Sequence, residues 1–337
     1  DEVYGRLGVL LTDDDIVGES FYNAMLDDVV ADLDAQGLLV EDGGARCVFP
    51  PGFTNREGQP LPLIVQKSDE GYGYAATDLA AIRDRVGRLG ARRLLYVVGA
   101  PQAQHFEMVF AVARLAGWLP EGTDAVHVTF GNVLGPDRKM FKTRSGETVK
   151  LVALLDEAVE RAERAMAERE SEVPEADRPA VARALGIGAV KYADLSTERT
   201  RDYVFDWDRM LAFEGNTGPY LQYAHARIRS IFRRGEVTPP DPAVAPTVAD
   251  PHERALALAL LGLPEAVADT LATYSPHRLT GHLFDLASTF TSFYENCPVL
   301  RAPDDETRRS RLLLADLTAR QLELGLGLLG IEAPDRM

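Results

Sequence analysis

Several residue types that usually announce a mechanism are scarce in this sequence. Only two cysteines occur, Cys47 and Cys297, far apart and without CxxC or CxxH spacing. A disulfide framework or cysteine-based zinc site therefore has no support, and buried free thiols are expected. The six histidines (105, 127, 225, 252, 277 and 282) form no HExxH pair, so no structural metal is expected. No GxxxxGK[ST] run is present, which excludes a P-loop. No stretch of eighteen apolar residues exists, and no basic segment followed by an apolar one opens the chain. The expectation is a cytoplasmic protein with no membrane partner. Cations are outnumbered, 36 Lys and Arg against 52 Asp and Glu, for a formal charge of −16. Any polyanion must then be met by local basic patches, and two stand out, 138–150 and 225–234.

What is present suits folded domains: 337 residues, 46% apolar and 8% aromatic. Three apolar stretches, "GYGYAAT" (71–77), "RLLYVVGA" (93–100) and "DAVHVTF" (124–130), each end in a polar or glycine-rich turn followed by helical patterning. Strands alternating with helices imply βαβ units and a parallel sheet, with ligands collecting beyond the carboxyl ends of the strands. Upstream, "SFYNAMLDDVVADLDAQGLL" reads as an amphipathic helix and "ARCVFPP" as a short edge strand. From residue 149 the pattern turns helical: a stripe over 151–166, a break at "SEVPEADRP", then helices over 178–191, 215–234, 252–274, 276–296 and 306–329. The Pro-rich 236–251 reads as a surface loop. The fold class is α/β plus all-α, with a boundary near 170–200.

The candidate site residues follow from strand ends. Tyr74 and Asp78 could hold a planar guanidinium, by ring stacking and a carboxylate fork; equally, Asp78 could serve the helix dipole and Tyr74 the core. Gln102 and His105, after the next stretch, could converge on the same crevice or simply be a polar helix start. His127, Phe130 and Gly131 could receive a flat ring. "GPDRKMFKTRSGET" is the strongest chemically. Its cations could close over a polyphosphate, each charge-assisted contact worth roughly 2–4 kcal/mol in the transition state; the bland alternative is a solvated loop. "NTGPYLQYAHARIRSIFRR" (216–234) pairs aromatics with arginines, which suits unpaired bases and phosphates or a buried aromatic face with solvated cations.

Taken in order, "GESFY", "YAATDLAAIRDR", "YVVGAPQAQHF", "FGNVLG…KMFKTRSG", "VKYADLS", "DYVFDWDRMLAFEGNTGPYLQYAHARIRSIFRR", "PHRLTGHLFDLASTFTSFYENCPVL" and "GLLGIEAPDRM" resemble arginyl-tRNA synthetase of the bacterial class I type over nearly the whole chain. The resemblance implies part of a class I Rossmann-like catalytic domain (1–170), connecting stem helices (171–202) and a helical-bundle anticodon-binding domain (203–337). It assigns Glu19, Tyr74, Asp78 and Gln102 to arginine, and His105, His127, Phe130, Gly131 and Val133 to ATP. Lys139, Lys142 and Arg144 fall to the KMSKS-like loop, and Asn216, Tyr220, Gln222, Tyr223 and Arg227 to tRNA. It also implies a monomer that takes ATP as its Mg²⁺ complex, arginine and arginine tRNA.

Two departures accompany it. Ser145 stands where the loop signature has its final lysine, and no histidine has the HxGH context of the HIGH signature. The opening, with Asp at position 1, reads as the interior of a longer chain, so a missing N-terminal half is a further expected partner. Three readings follow: a fragment or truncated form of an arginine–tRNA ligase, a non-catalytic paralogue that binds tRNA or arginine, and an unrelated nucleotide-binding transferase.

Overall fold

The computed structural model, which describes residues 2–135, 137–139, 150–168, 172–243 and 245–337, opens with a short helix, α1 (Glu2–Leu7). It divides into one unit of Leu10–Gly131 and a second that joins Asp1–Val9 to Asn132–Met337. This division falls inside the 1–170 segment expected from the sequence.

In the first unit a 3-10 helix (Glu19–Met25) leads into α2 (Leu26–Ala35), as the amphipathic pattern predicts. Next come β1 (Val40–Asp42) and β2 (Ala45–Val48), joined through Gly43 and Gly44, whose φ values of 57° and 83° suit a tight hairpin. β3 (Leu63–Gln66) pairs antiparallel on the other side of β2. The "ARCVFPP" segment is therefore the middle strand of a three-stranded sheet and not an edge; "EDGGAR" carried the hairpin signal.

A second correction concerns 71–77. That stretch is no strand. Gly73 caps α3 (Tyr74–Gly87), so Tyr74 is its first residue. The strand lies earlier, in the β-branched "LIVQ", while the two alanines after Tyr74 favour helix. β4 (Arg93–Val97), α4 (Ala103–Leu115) and β5 (Asp124–Val128) follow the expected pattern, and β4 pairs parallel with β5 from Arg93↔Asp124 to Val97↔Val128. Leu33, Val65, Leu79, Ile82, Val109 and Val112 are fully buried at the centre of one core.

The second unit contains a short parallel pair, β6 (Val133–Leu134) with β7 (Tyr203–Val204), and a run of helices. These are α5 (Leu151–Ala167), α6 (Arg178–Ser196), α7 (Trp207–Met210), α8 (Gly218–Gly235), α9 (Pro251–Leu261), α10 (Leu263–Thr273), α11 (His277–Asn296) and α12 (Asp305–Leu328). α5 and α6 approach so closely that a Cβ on Gly186 would lie 2.6 Å from the Ala158 carbonyl oxygen. α8 begins with a Thr217 cap, whose hydroxyl accepts from the Tyr220 amide at 3.2 Å, and with Pro219 in its first turn. Leu221, Ile228, Leu283, Leu286, Phe293 and Leu322 form the bundle core.

The single helix expected over 252–274 is two, because Gly262 and Pro264 interrupt it. Together, Pro251–Thr273 is long and apolar enough to cross a membrane by length and composition, a feature the search for eighteen uninterrupted apolar residues missed. Here Leu256 and Leu260 face the bundle core, whereas Leu258, Leu261 and Leu271 are exposed. Among the described residues of 236–250 there is no helix or strand, as the prolines predict.

Candidate functional site

α3 and α4 meet near their N-terminal turns and present the first cluster. Tyr74 is 74% exposed, which removes its reading as a core residue. Asp78 lies one turn further on the same face, too far into α3 for the helix dipole to explain it. Its Oδ2 lies 2.7 Å from Nε2 of His105, in the first turn of α4; a carboxylate only accepts, so Nε2–H donates. Gln102 ends the 3-10 turn after β4 and is exposed. Glu19 is exposed on the 3-10 helix, whose neighbours Phe21 and Tyr22 meet Arg88 and Arg85 at the opposite end of α3 from Asp78. The structure thus joins Asp78 to His105 and ties the Glu19 element elsewhere on α3.

Below this pair lies an aromatic floor. Phe106 packs against His127 at 5.1 Å and Tyr96 at 5.0 Å between ring centroids. The Nε2–H of His127 donates to the Val98 carbonyl at 2.9 Å, which holds its ring at the carboxyl end of β4. Burial, reinforced by Asp78 and opposed by Arg85, pushes the Tyr96 hydroxyl up to about 12, so it stays neutral. Phe130 is exposed and Gly131 half-buried just after β5. Sequence reasoning missed Tyr96; its place at alternating position in a half-buried strand was the available signal.

Val133 lies on β6 in the other unit. Lys139 is exposed, with its amide donating to Asp137. Lys142 and Arg144 lie outside the described residues.

The five residues expected to face tRNA separate on α8 and just before it. Tyr223, 42% exposed, and Arg227 are one turn apart, and the Arg227 guanidinium stacks 4.4 Å from the centroid of the Tyr294 ring. Phe213 meets Tyr223 edge-on at 6.4 Å. Asn216 is exposed, and its Oδ1 accepts from the Tyr192 hydroxyl at 2.5 Å. Tyr220 is half-buried against Phe284 at 5.7 Å.

Gln222 departs from the set. It is fully buried, and its Nε2 donates to the carbonyls of Ala184 at 3.0 Å and Glu332 at 2.7 Å, bracing α6 and the C-terminal segment. At about 100° per residue the apolar stripe 221, 224, 228, 231 leaves Gln222 on the far side of α8; its burial comes from α6 and the C-terminal segment packing on that side, which the stripe does not reveal. Further along, Arg234 pairs with Glu172, and Arg233 donates to the Asp335 carbonyl at 2.7 Å.

Asp250, His252 and Cys297 bring ligand-type atoms within 4.8 Å of one another, although nothing in their spacing suggests it. They satisfy each other. Asp250 caps α9 and accepts from the His252 amide, which is first among the groups that lower its pKa; burial, then the hydrogen bond to Asp250, pushes the Cys297 thiol up to about 11. A cation there would face a helix N-terminus, the wrong sign. Both cysteines are free and buried.

A parallel strand pair with polar side chains beyond its carboxyl end, followed in sequence by a helical bundle, is the layout of the class I tRNA synthetases. The chain belongs to their arginine branch: residues 1–207 match the family of tRNA synthetases class I (R), catalytic domain, and residues 221–337 match the DALR anticodon binding domain. An arginine–tRNA ligase of Thermobifida fusca is 56% identical over 335 residues, which are 99% of this chain and 58% of that protein. The crystal structure of arginyl-tRNA synthetase from Plasmodium falciparum superposes with a TM-score of 0.85 at 34% identity, covering 100% of this chain and 56% of that one. For the Thermus thermophilus arginyl-tRNA synthetase the values are 0.82, 29%, 93% and 58%. The chain thus spans little more than half the length of these relatives. The fold class is a class I catalytic domain followed by a helical DALR anticodon-binding domain.

Proposed function

We propose that this chain serves arginine–tRNA ligation as part of a protein of its relatives' length. In that reaction an arginine carboxylate oxygen attacks the α-phosphate of ATP, which enters as its Mg²⁺ complex. The new acyl–phosphate bond replaces the α–β phosphoanhydride, and pyrophosphate leaves. A terminal ribose hydroxyl of arginine tRNA then attacks the carbonyl and AMP departs. No covalent enzyme intermediate is needed, so positioning and charge stabilisation carry the rate.

Arginine falls to Tyr74, Asp78 and Gln102, and the adenine to His127, Phe130 and Gly131. The triphosphate falls to Lys139, Lys142 and Arg144, and the tRNA to Asn216, Tyr223 and Arg227. One observation carries the reading: an exposed Tyr74 ring one helical turn from the Asp78 carboxylate, a pairing suited to stacking and forking a guanidinium. The test is ATP–pyrophosphate exchange by the full-length protein with arginine tRNA present. Exchange that requires arginine and ignores lysine is expected. Exchange with neither amino acid would refute the reading.

A further inference from the structure

We infer that His105 is a positioning residue of the arginine subsite and not a nucleotide contact, an inference that rests on the reading of Asp78 as the guanidinium acceptor. Its Nε2 lies 2.7 Å from Asp78 Oδ2, with both side chains only about a quarter exposed, at 28% and 27%. A hydrogen bond to an ionised group in such a half-buried place is among the stronger kinds and is poorly screened by solvent.

The bond acts on orientation. The last torsion of an aspartate is broad, so an unbraced carboxylate samples many planes. Guanidinium recognition needs one plane, because two parallel N–H groups must meet two oxygens. A carboxylate has about four lone-pair directions. His105 occupies one of these on Oδ2 and leaves the rest for a bidentate guanidinium. The imidazole is itself held: its ring stands edge-on to Phe106, 5.2 Å between centroids at 75°, and Phe106 packs in turn on Tyr96 and His127. The aromatic cluster, the imidazole and the carboxylate thus form one chain of contacts from the core out to Asp78. The two residues stand on different helices, α3 and α4, so the bond also fixes one helix start against the other.

The residue's chemistry matters as well as its place. Only Nε2 is committed, so a side chain that offers one N–H at that distance from its backbone should serve. Glutamine does, with its Nε2, and cannot ionise; alanine offers nothing.

The test is steady-state ATP–pyrophosphate exchange with arginine tRNA in the full-length protein, comparing wild type, His105→Ala and His105→Gln, with Tm recorded for each. His105→Ala is expected to raise the arginine KM about tenfold, with kcat and the ATP KM within twofold of wild type. His105→Gln is expected to restore the arginine KM to within about threefold, because it keeps the donor. An ATP KM that rises with arginine KM unchanged would return His105 to the nucleotide subsite. An alanine variant with wild-type arginine KM, or a glutamine variant no better than alanine, would also overturn the inference. Should alanine lower Tm, the folded glutamine variant still decides by the same comparison. Absence of arginine-dependent exchange in the wild type itself would instead overturn the underlying reading of the site, and the inference with it.

Discussion

The α/β unit and the helical bundle use their polar residues in opposite ways. In Leu10–Gly131 the residues of interest stand at helix starts and strand ends with their functional groups displayed: Tyr74, Gln102 and Phe130 are exposed, and Asp78 and His105 are half so. In the bundle many of the polar residues that look functional are braces. Gln222 holds two carbonyls, the Nδ1–H of His225 donates to the Pro334 carbonyl at 3.1 Å, and Glu253 is buried against Arg311 at 2.7 Å. The reason is geometric. An open α/β crevice exposes whatever follows a strand, whereas a helix in a bundle exposes only one face, and a one-residue shift along it turns a side chain from solvent to core.

That contrast is breakable. Substituting a brace should lower stability and leave ligand binding alone; substituting a displayed group should do the reverse. The largest stability effect is expected for Arg311→Ala, which strands a buried carboxylate and should cost about 3 kcal/mol in denaturant unfolding. An unchanged midpoint would show that the Glu253 pair does not hold the bundle. Gln222→Ala should follow at about 2 kcal/mol, through two lost hydrogen bonds inside the core. Weaker tRNA binding with an unaltered melting curve would make Gln222 a displayed residue after all.

Tyr223→Ala and Arg227→Ala should each weaken filter-binding affinity for arginine tRNA by about 1–2 kcal/mol without moving Tm, as loss of a stacking surface does. Equal loss for a non-cognate tRNA would identify them as general RNA contacts. The smallest effect concerns pH. Burial, the first cause in each case, holds His225, His277 and His282 below the usual histidine value. Unfolding then takes up protons, so bundle stability should be full above about pH 6.5 and fall as the solution is acidified below it. Thermal melts of wild type and His225→Gln across that window check the sign; a bundle that gains stability on acidification would contradict it.

Much of this organisation was legible in order and pattern. β4 and β5 are apolar runs ended by turns, and α5, α6, α8, α11 and α12 carry helical stripes close to their observed bounds. The misreadings have identifiable causes. Tyr and Gly in "GYGYAAT" imitate a strand when read alone, yet Gly73 is a helix cap. The central place of β2 depended on a hairpin whose Gly43–Gly44 turn went unweighed. The Asp78–His105 bond could not be read locally, since it joins residues 27 positions apart on two helices. Nor could the stacking of Arg227 on Tyr294, which depends on how α8 and α11 pack. Residue type announced the chemistry, and only tertiary packing decided which groups were left to perform it.

The central claim is that Asp78 is the group that selects arginine. Calorimetric titration of arginine into the full-length protein and its Asp78→Ala variant tests it most directly. The account predicts a loss of about 3 kcal/mol, roughly a hundredfold in Kd, in a variant that remains folded; arginine binding by Asp78→Ala as tight as by the wild type would contradict it.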